Sequence, residues 1–259
     1  MKHCTKCDNE TDLELNCNAY CGNCMLERTK KHFLKTLSRA LDTKGRYGKS
    51  TKSFRIMIAY NGSLSSKCCV SLMKDYIQNR PQVEKVMLCY ISDNEKELQS
   101  NDSFPLLQKS WMLDPNSCLK PHLYVEQFDD KKNDLLYNTA IEQNCDVLLF
   151  CHDTEHMSSY LMTRIVLGKA QGIENFKVFD TITINKKPLK IIYPLQECQQ
   201  QELINYATIC RIPYKLTTSY PTDDFASVTK GFLFQQQLEK SATCDIINST
   251  LAKVKTNNK

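Results

Sequence analysis

The cysteines carry the first chemistry. Two C-x2-C pairs, Cys4-Thr5-Lys6-Cys7 and Cys21-Gly22-Asn23-Cys24, stand 13 residues apart. Two residues between thiols let both sulfurs of a tight turn face one ion. Four thiolates then close a tetrahedron around Zn2+ and leave no position for water, so the expected site is structural. Metal binding would fold about 25 residues that are too few to build a core of their own. Cys17 competes with Cys21 as a ligand and ranks as the spare. A RING arrangement needs about twice as many ligands and is disfavoured. The chain holds 14 cysteines, and no apolar leader follows Met1. Metal ligation and buried thiols are therefore expected in place of a disulfide framework. The nine cysteines beyond Cys24 are expected as small core side chains.

Charge is concentrated beside this module. Residues 1–24 carry two basic and four acidic groups, net −2; residues 25–52 carry nine and two, net +7. Residues 53–259 carry 23 of each, so one 28-residue segment holds the whole excess of +5. Within it, Met25 to Leu41 reads as a helix, with Leu26, Phe33, Leu34, Leu37 and Leu41 near helical spacing. Arg28, Lys30, Lys31, Lys35 and Arg39 fall on its other face and form the candidate RNA-binding surface. The competing reading is a solvated helix face. Such cations contact phosphates and read no bases, so specificity would come from RNA shape.

A second candidate site begins where an apolar strand runs into Asn61-Gly62-Ser63-Leu64-Ser65-Ser66 and then a helix. A strand, a small-residue loop and a helix N-terminus make an anion site, because backbone N–H groups and the helix dipole converge there. The loop lacks the Lys that a Walker loop carries after its second glycine. On pattern alone it is equally readable as a tight connection. His152-Asp153-Thr154-Glu155-His156 imitates the H-E-x-x-H of zinc proteases, but Asp153 stands where the base Glu belongs. Helix capping by Asp153 or Thr154 is the better reading.

The elements that must position these residues alternate from residue 54 onward. Strands are expected over Phe54–Tyr60, Lys85–Ile91, Leu123–Phe128, Asp146–Cys151, Phe176–Thr183 and Leu189–Tyr193. Helices are expected over Ser65–Asn79, Phe104–Met112, Asp130–Asn144, Thr154–Lys169, Glu197–Cys210, and twice after Pro221. That alternation predicts an α/β fold, a parallel twisted sheet with helices on both faces, preceded by the small zinc module. The division is 1–41 for the knuckle and basic helix, 42–53 for a polar linker and 54–259 for the α/β domain. Ser92 to Ser103 reads as a surface insertion and Lys253 to Lys259 as a frayed tail. With 41% hydrophobic and 24% charged residues, wholesale disorder is excluded. No apolar run reaches the roughly 20 residues of a membrane span. A soluble cytoplasmic protein is expected.

Taken together, the motifs resemble a known family. Ile58-Ala59-Tyr60-Asn61-Gly62-Ser63-Leu64-Ser65-Ser66 resembles the S-G-G-x-x-S pyrophosphate loop of the PP-loop, adenine nucleotide α-hydrolase-like enzymes. The ordered set is similar to the cytoplasmic tRNA 2-thiolation proteins, in particular the second-subunit family. It comprises the two C-x2-C pairs, Tyr20-Cys21 to Cys24 with His32-Phe33-Leu34, the loop, Leu148 to Thr154, and Lys190 to Leu195 leading into Glu197. The resemblance runs over about residues 1 to 245. It implies a heterodimer with a catalytic sister subunit that places sulfur on the wobble uridine of a few tRNAs. ATP would adenylate the base, and a ubiquitin-related carrier would deliver the sulfur. It also implies a nucleotide site at Asn61, Gly62, Ser63, Ser65, Ser66 and Asp153.

Departures from the family pattern limit that inheritance. Asn61 replaces Ser and Ser63 replaces the second Gly, adding a Cβ where a phosphate would approach. Ser65 stands where active loops often carry an Asp that contacts Mg2+. Mid-domain offers lone Cys118 and Cys145 in place of a C-x2-C pair, and the C-terminal region offers only Cys244. The expectation is an accessory subunit with structural Zn2+ and a degenerate ATP/Mg2+ site and no catalytic residues of its own. The alternatives are an active ATP-dependent tRNA thiolase and a zinc-bearing nucleotide-binding scaffold without an RNA role.

Overall fold

Short-range turn chemistry builds the N-terminal region of the computed structural model, which describes residues 2–41, 53–78, 80, 82–92, 106–110, 130–166, 179–214, 225–240 and 242–251. Strands β1 (Lys2–His3) and β2 (Glu10–Thr11) pair antiparallel. A second hairpin joins β3 (Glu14–Leu15) to β4 (Asn18–Ala19). Its two-residue turn is Asn16 (φ 53°) and Cys17 (φ 62°), the positive-φ pair that a type I′ turn requires. Helix α1 (Gly22–Ala40) follows at once, and Phe33, Leu37 and Ala40 repeat along its buried face.

The remaining elements are β5 (Phe54–Ala59), α2 (Leu64–Ile77), β6 (Val83–Ser92), β7 (Leu106–Ser110), α3 (Asp130–Glu142), β8 (Val147–Phe150), α4 (Thr154–Val166), β9 (Phe179–Ile184), β10 (Lys187–Ile192), α5 (Gln200–Ile209), α6 (Phe225–Glu239) and α7 (Thr243–Leu251). The main sheet has the order β7-β6-β5-β8-β10-β9. Five strands run parallel, and β9 closes one edge antiparallel. Strand alternation sends side chains to two cores. Ile56, Ile58, Val147 and Leu149 face α1, α2 and α5. Met57, Leu148 and Phe150 face α3. Helices therefore cover both faces, as the alternation of apolar segments predicts.

The basic helix is part of the first of these cores. Phe33, Leu37, Ala40 and Leu41 lie in one cluster with Cys68, Leu72 and Met73 of α2 and Leu203 and Tyr206 of α5. The knuckle is attached too: Leu15, Tyr20 and Met25 pack with Ile209, and Asn205 donates to the Glu14 carbonyl at 3.0 Å.

Two expectations change. Phe104–Met112 was expected to be helical, but Leu106–Ser110 forms β7, in parallel register with Leu88–Ser92. A short apolar pair such as Leu106-Leu107 is ambiguous in period, and pairing with a ready sheet edge decides it. Of the strand expected at Phe176–Thr183, the described residues from Phe179 on form β9, which is antiparallel. Asn185 (φ 51°) and Lys186 (φ 65°) connect it to β10 in two residues, too few for a parallel crossover. Asn79 and residues 167–169, the last of two expected helices, lie outside the described residues. The linker over 42–52, the expected strand Leu123–Phe128, Cys118, the insertion from residue 93 and the tail lie outside the described residues. Among the described residues, no helix is long and apolar enough to cross a membrane.

Candidate functional site

The chain leaves β5 toward β6 on one side, while β8 lies on the other, so the sheet order reverses at β5. In open parallel sheets the crevice at the C-terminal ends of such strands is where ligands bind. Both sequence candidates meet there. The loop Asn61-Gly62-Ser63 leaves β5, and Cys151-His152-Asp153 leaves β8.

The loop is folded onto itself. Gly62 takes φ 76°, a conformation that suits a residue without Cβ. Asn61 Oδ1 accepts from the Ser63 N–H at 3.0 Å. Ser63 caps α2, its Oγ accepting from the Ser66 N–H at 3.3 Å, and Ser66 Oγ donates back to the Ser63 carbonyl at 3.0 Å. The Ser63 hydroxyl thus occupies a helix N–H otherwise available to a phosphate.

Asp153 joins the two sides of the crevice. It is completely buried. Ser65 Oγ donates to its Oδ2 at 2.7 Å. Its Oδ1 accepts from the His156 N–H at 2.9 Å and lies 2.6 Å from His156 Nδ1, capping α4 as the sequence suggests. Thr154 is fixed to the turn before α5: its N–H donates to the Cys198 carbonyl and its hydroxyl to the Gln196 carbonyl. Beside it, Glu155 is 1% exposed and accepts from the Gln200 N–H at 2.9 Å. Burial, reinforced by the nearby Asp153 charge, pushes the Glu155 carboxyl up to about 8. Sequence reading met Glu155 and His152 only within the zinc-protease look-alike, and the stacked wall of Phe150, His152 and Tyr193 was not expected. The parallel register that sets Ile192 beside Leu149 carries Tyr193 to Phe150. That pairing is long-range, so no local pattern announces it. Burial drives the Tyr193 hydroxyl well above its usual range.

The four cysteines of the two C-x2-C pairs come together. Cys4, Cys7, Cys21 and Cys24 place their Sγ atoms within 4.8 Å of one another. Cys7 Sγ lies 3.4 Å from Cys21 Sγ and 3.5 Å from Cys24 Sγ. A tetrahedral zinc with bonds of about 2.3 Å holds its sulfurs about 3.8 Å apart, so the four thiols fit a single ion. A four-iron cluster binds each thiolate to a different iron and would separate them. Backbone N–H groups of Cys21, and then Lys6 and Cys7, hold the Cys4 thiol down to about 6. Cys17 sits at the hairpin turn, exposed and outside the set. Of the nine later cysteines, Cys68, Cys69, Cys89, Cys145, Cys151, Cys198 and Cys244 are buried, and Cys210 is exposed.

The α1 cations lie largely against the α/β domain. Arg28 Nε is 3.3 Å from Glu202, Lys30 Nζ 2.6 Å from Asp75, and Lys35 Nζ 2.6 Å from Glu197, with Arg39 4.0 Å from Glu197. Lys31 is exposed, with no ion pair among the described residues. Sequence patterning found the cations but not their acidic partners, which stand 45 to 174 residues away in the chain.

No protein-family profile matches the chain. Among solved structures, the U34-tRNA thiolase NcsA from Methanococcus maripaludis with its [4Fe-4S] cluster is similar at a TM-score of 0.70 and 15% identity. The match covers 98% of this chain and 88% of that one. An FMN adenylyltransferase from Candida glabrata, in complex with FAD and pyrophosphate, gives a TM-score of 0.41 at 11% identity over 78% and 60% of the two chains. A phosphoadenylyl-sulfate reductase from Candida auris gives 0.36 at 12% over 73% and 87%. The first comparison, with the sheet order and loop placement, defines the fold class: the chain has a PP-loop α/β fold with a four-cysteine module at its N-terminus.

Proposed function

We propose that this chain is the accessory subunit of a cytosolic complex that 2-thiolates the wobble uridine of tRNA. The observation that carries the tRNA-thiolation reading is the similarity to a U34-tRNA thiolase along nearly the entire chain, the four-cysteine module included. The closed loop favours the accessory role: Ser63 caps α2 and Asp153 is engaged by Ser65 and His156, so Asn61, Gly62, Ser63, Ser65, Ser66 and Asp153 form a degenerate nucleotide site. A catalytic sister subunit would supply adenylation and sulfur transfer. A ubiquitin-related carrier would bring the sulfur, and this chain would stabilise the partner and hold tRNA.

The four thiolates would hold one Zn2+ and keep the start of α1 in place; the ion's role there is structural because no coordination position is left open. The α1 cations other than Arg28 would meet phosphates, with Lys31 the most available. The test compares tRNA thiolation by the sister subunit alone and with this chain, alongside ATP–pyrophosphate exchange by this chain alone. Stimulation without exchange is expected. Exchange by the isolated chain would favour the active-thiolase reading, and no effect on thiolation together with no tRNA binding would favour the scaffold reading.

A further inference from the structure

A second group of metal-ligating side chains lies between α1 and α5. His32 on α1, Cys198 in the turn before α5 and Glu202 in its first turn offer ligand atoms that all lie within 4.8 Å of one another. Cys198 and Glu202 are completely buried, while His32 keeps 21% of its side chain exposed. A carboxylate withdrawn from water requires partners for both oxygens. Glu202 Oε2 has Arg28 Nε at 3.3 Å. Oε1 and the buried Nδ1 of His32 have no hydrogen-bond partner among the described residues, although they lie only 3.3 Å apart.

Two buried polar atoms in mutual contact without a hydrogen bond are accounted for by a cation between them. The 3.3 Å separation fits the about 3.4 Å edge of a tetrahedral ion bonded to one nitrogen and one oxygen. We infer that His32, Cys198 and Glu202 form a second metal site, separate from the four thiols, for a borderline divalent ion of the zinc class. The mixed nitrogen, sulfur and oxygen set suits that class. Binding releases the Cys198 thiol proton to solvent, and the thiolate and carboxylate then balance the ion's two charges. Arg28, bonded to Oε2, turns Oε1 toward the ion, an outer contact of the kind that orients metal ligands. Three protein ligands leave a fourth position open.

The placement has a structural consequence. The Cys198 carbonyl accepts from the Thr154 N–H at 3.0 Å, next to Asp153. An ion here would fasten the helix that follows the zinc knuckle to the turn that supports the crevice.

The test is a Co2+ titration of metal-stripped full-length protein, followed by thiolate-to-cobalt charge transfer and d–d absorption, with bound metal counted by mass spectrometry after Zn2+ loading. Two ions per chain are expected. His32→Gln should lower affinity for the second ion at least tenfold and leave the tetrathiolate spectrum unchanged. Cys198→Ser should remove the charge-transfer band of the second ion. One ion per chain in the wild type, showing that Glu202 is compensated by Arg28 and His32 alone, overturns the inference. So does a second ion retained undiminished in His32→Gln. Because His32 is partly exposed, that variant decides the matter even where Cys198→Ser fails to fold.

Discussion

Glu155→Gln tests whether the crevice is held by buried, protonated chemistry. Glu155 is 1% exposed, and burial together with the Asp153 charge raises its carboxyl from 4.5 to about 8. A group that holds its proton more tightly folded than unfolded stabilises the fold below its unfolded value. That stability is lost as pH rises toward the folded value. At about 1.36 kcal/mol per pH unit, the loss between pH 4.5 and pH 9 is on the order of 5 kcal/mol, most of it already reached at pH 7. Glutamine keeps an oxygen to accept from the Gln200 N–H and carries no ionisable proton. The difference in stability between the two proteins should therefore be small near pH 5 and should favour the variant increasingly toward pH 9. For a chain of this length the gap corresponds to about 10 °C or more in Tm. Thermal or urea denaturation at fixed ionic strength in saturating Zn2+ reads it, and taking the difference cancels titration elsewhere. Parallel pH profiles for the two proteins from pH 5 to 9 would refute the assignment of a raised carboxyl at this position.

Three further outcomes follow from the same contacts. Chelation of the ion at Cys4, Cys7, Cys21 and Cys24 should lower Tm and raise amide exchange over residues 2–25, with α2 and the central strands retaining protection. Asp153→Ala removes the cap of α4 and strands the buried Ser65 hydroxyl, for a loss of about 2–4 kcal/mol in urea denaturation. Lys31→Glu, at an exposed position, should leave stability within about 0.5 kcal/mol while weakening tRNA capture in filter binding and reducing its salt slope by about 1. An unchanged slope would take α1 out of the RNA-binding surface.

What could be read from the chain alone divides by range. The four clustered thiols, the cap at Asp153 and the strand–loop–helix at Asn61 to Ser66 are local patterns, in which the residues that interact are near in sequence or set by one turn. Helical period also located α1, α2 and α5 within a few residues, because their buried faces are long enough to repeat. The failures lie where tertiary pairing chooses. Leu106–Ser110 becomes a strand because β6 offers an edge, and no property of those five residues alone requires it. The closed state of the loop was likewise only half visible. The Ser63 substitution is plain in the sequence, but the bond from Ser65 to Asp153 spans 88 residues and exists only once β5 and β8 are neighbours. The same holds for Glu202, whose partners on α1 are more than 160 residues away.

The long-range pairs also divide the cationic helix into two roles. Lys30, Lys35 and Arg39 face partly exposed acids, with Asp75 at 45% and Glu197 at 30% side-chain exposure. Pairs of that kind are worth no more than about 1 kcal/mol, so an RNA phosphate can take the cation without cost to the fold. Arg28 is different. Its partner Glu202 is 0% exposed, and removing the guanidinium takes the contact from its buried Oε2. Breaking a buried pair from one side costs about 3–5 kcal/mol. Arg28→Ala should therefore lower stability by that order, whereas Lys35→Ala should barely change it. The folded Arg28 variant should capture tRNA with the same salt slope as wild type, and Lys35→Ala with a shallower one. Equal stability losses in the two variants would show that Glu202 is not held by Arg28, and a shallower slope in Arg28→Ala would return that residue to the RNA-contacting set.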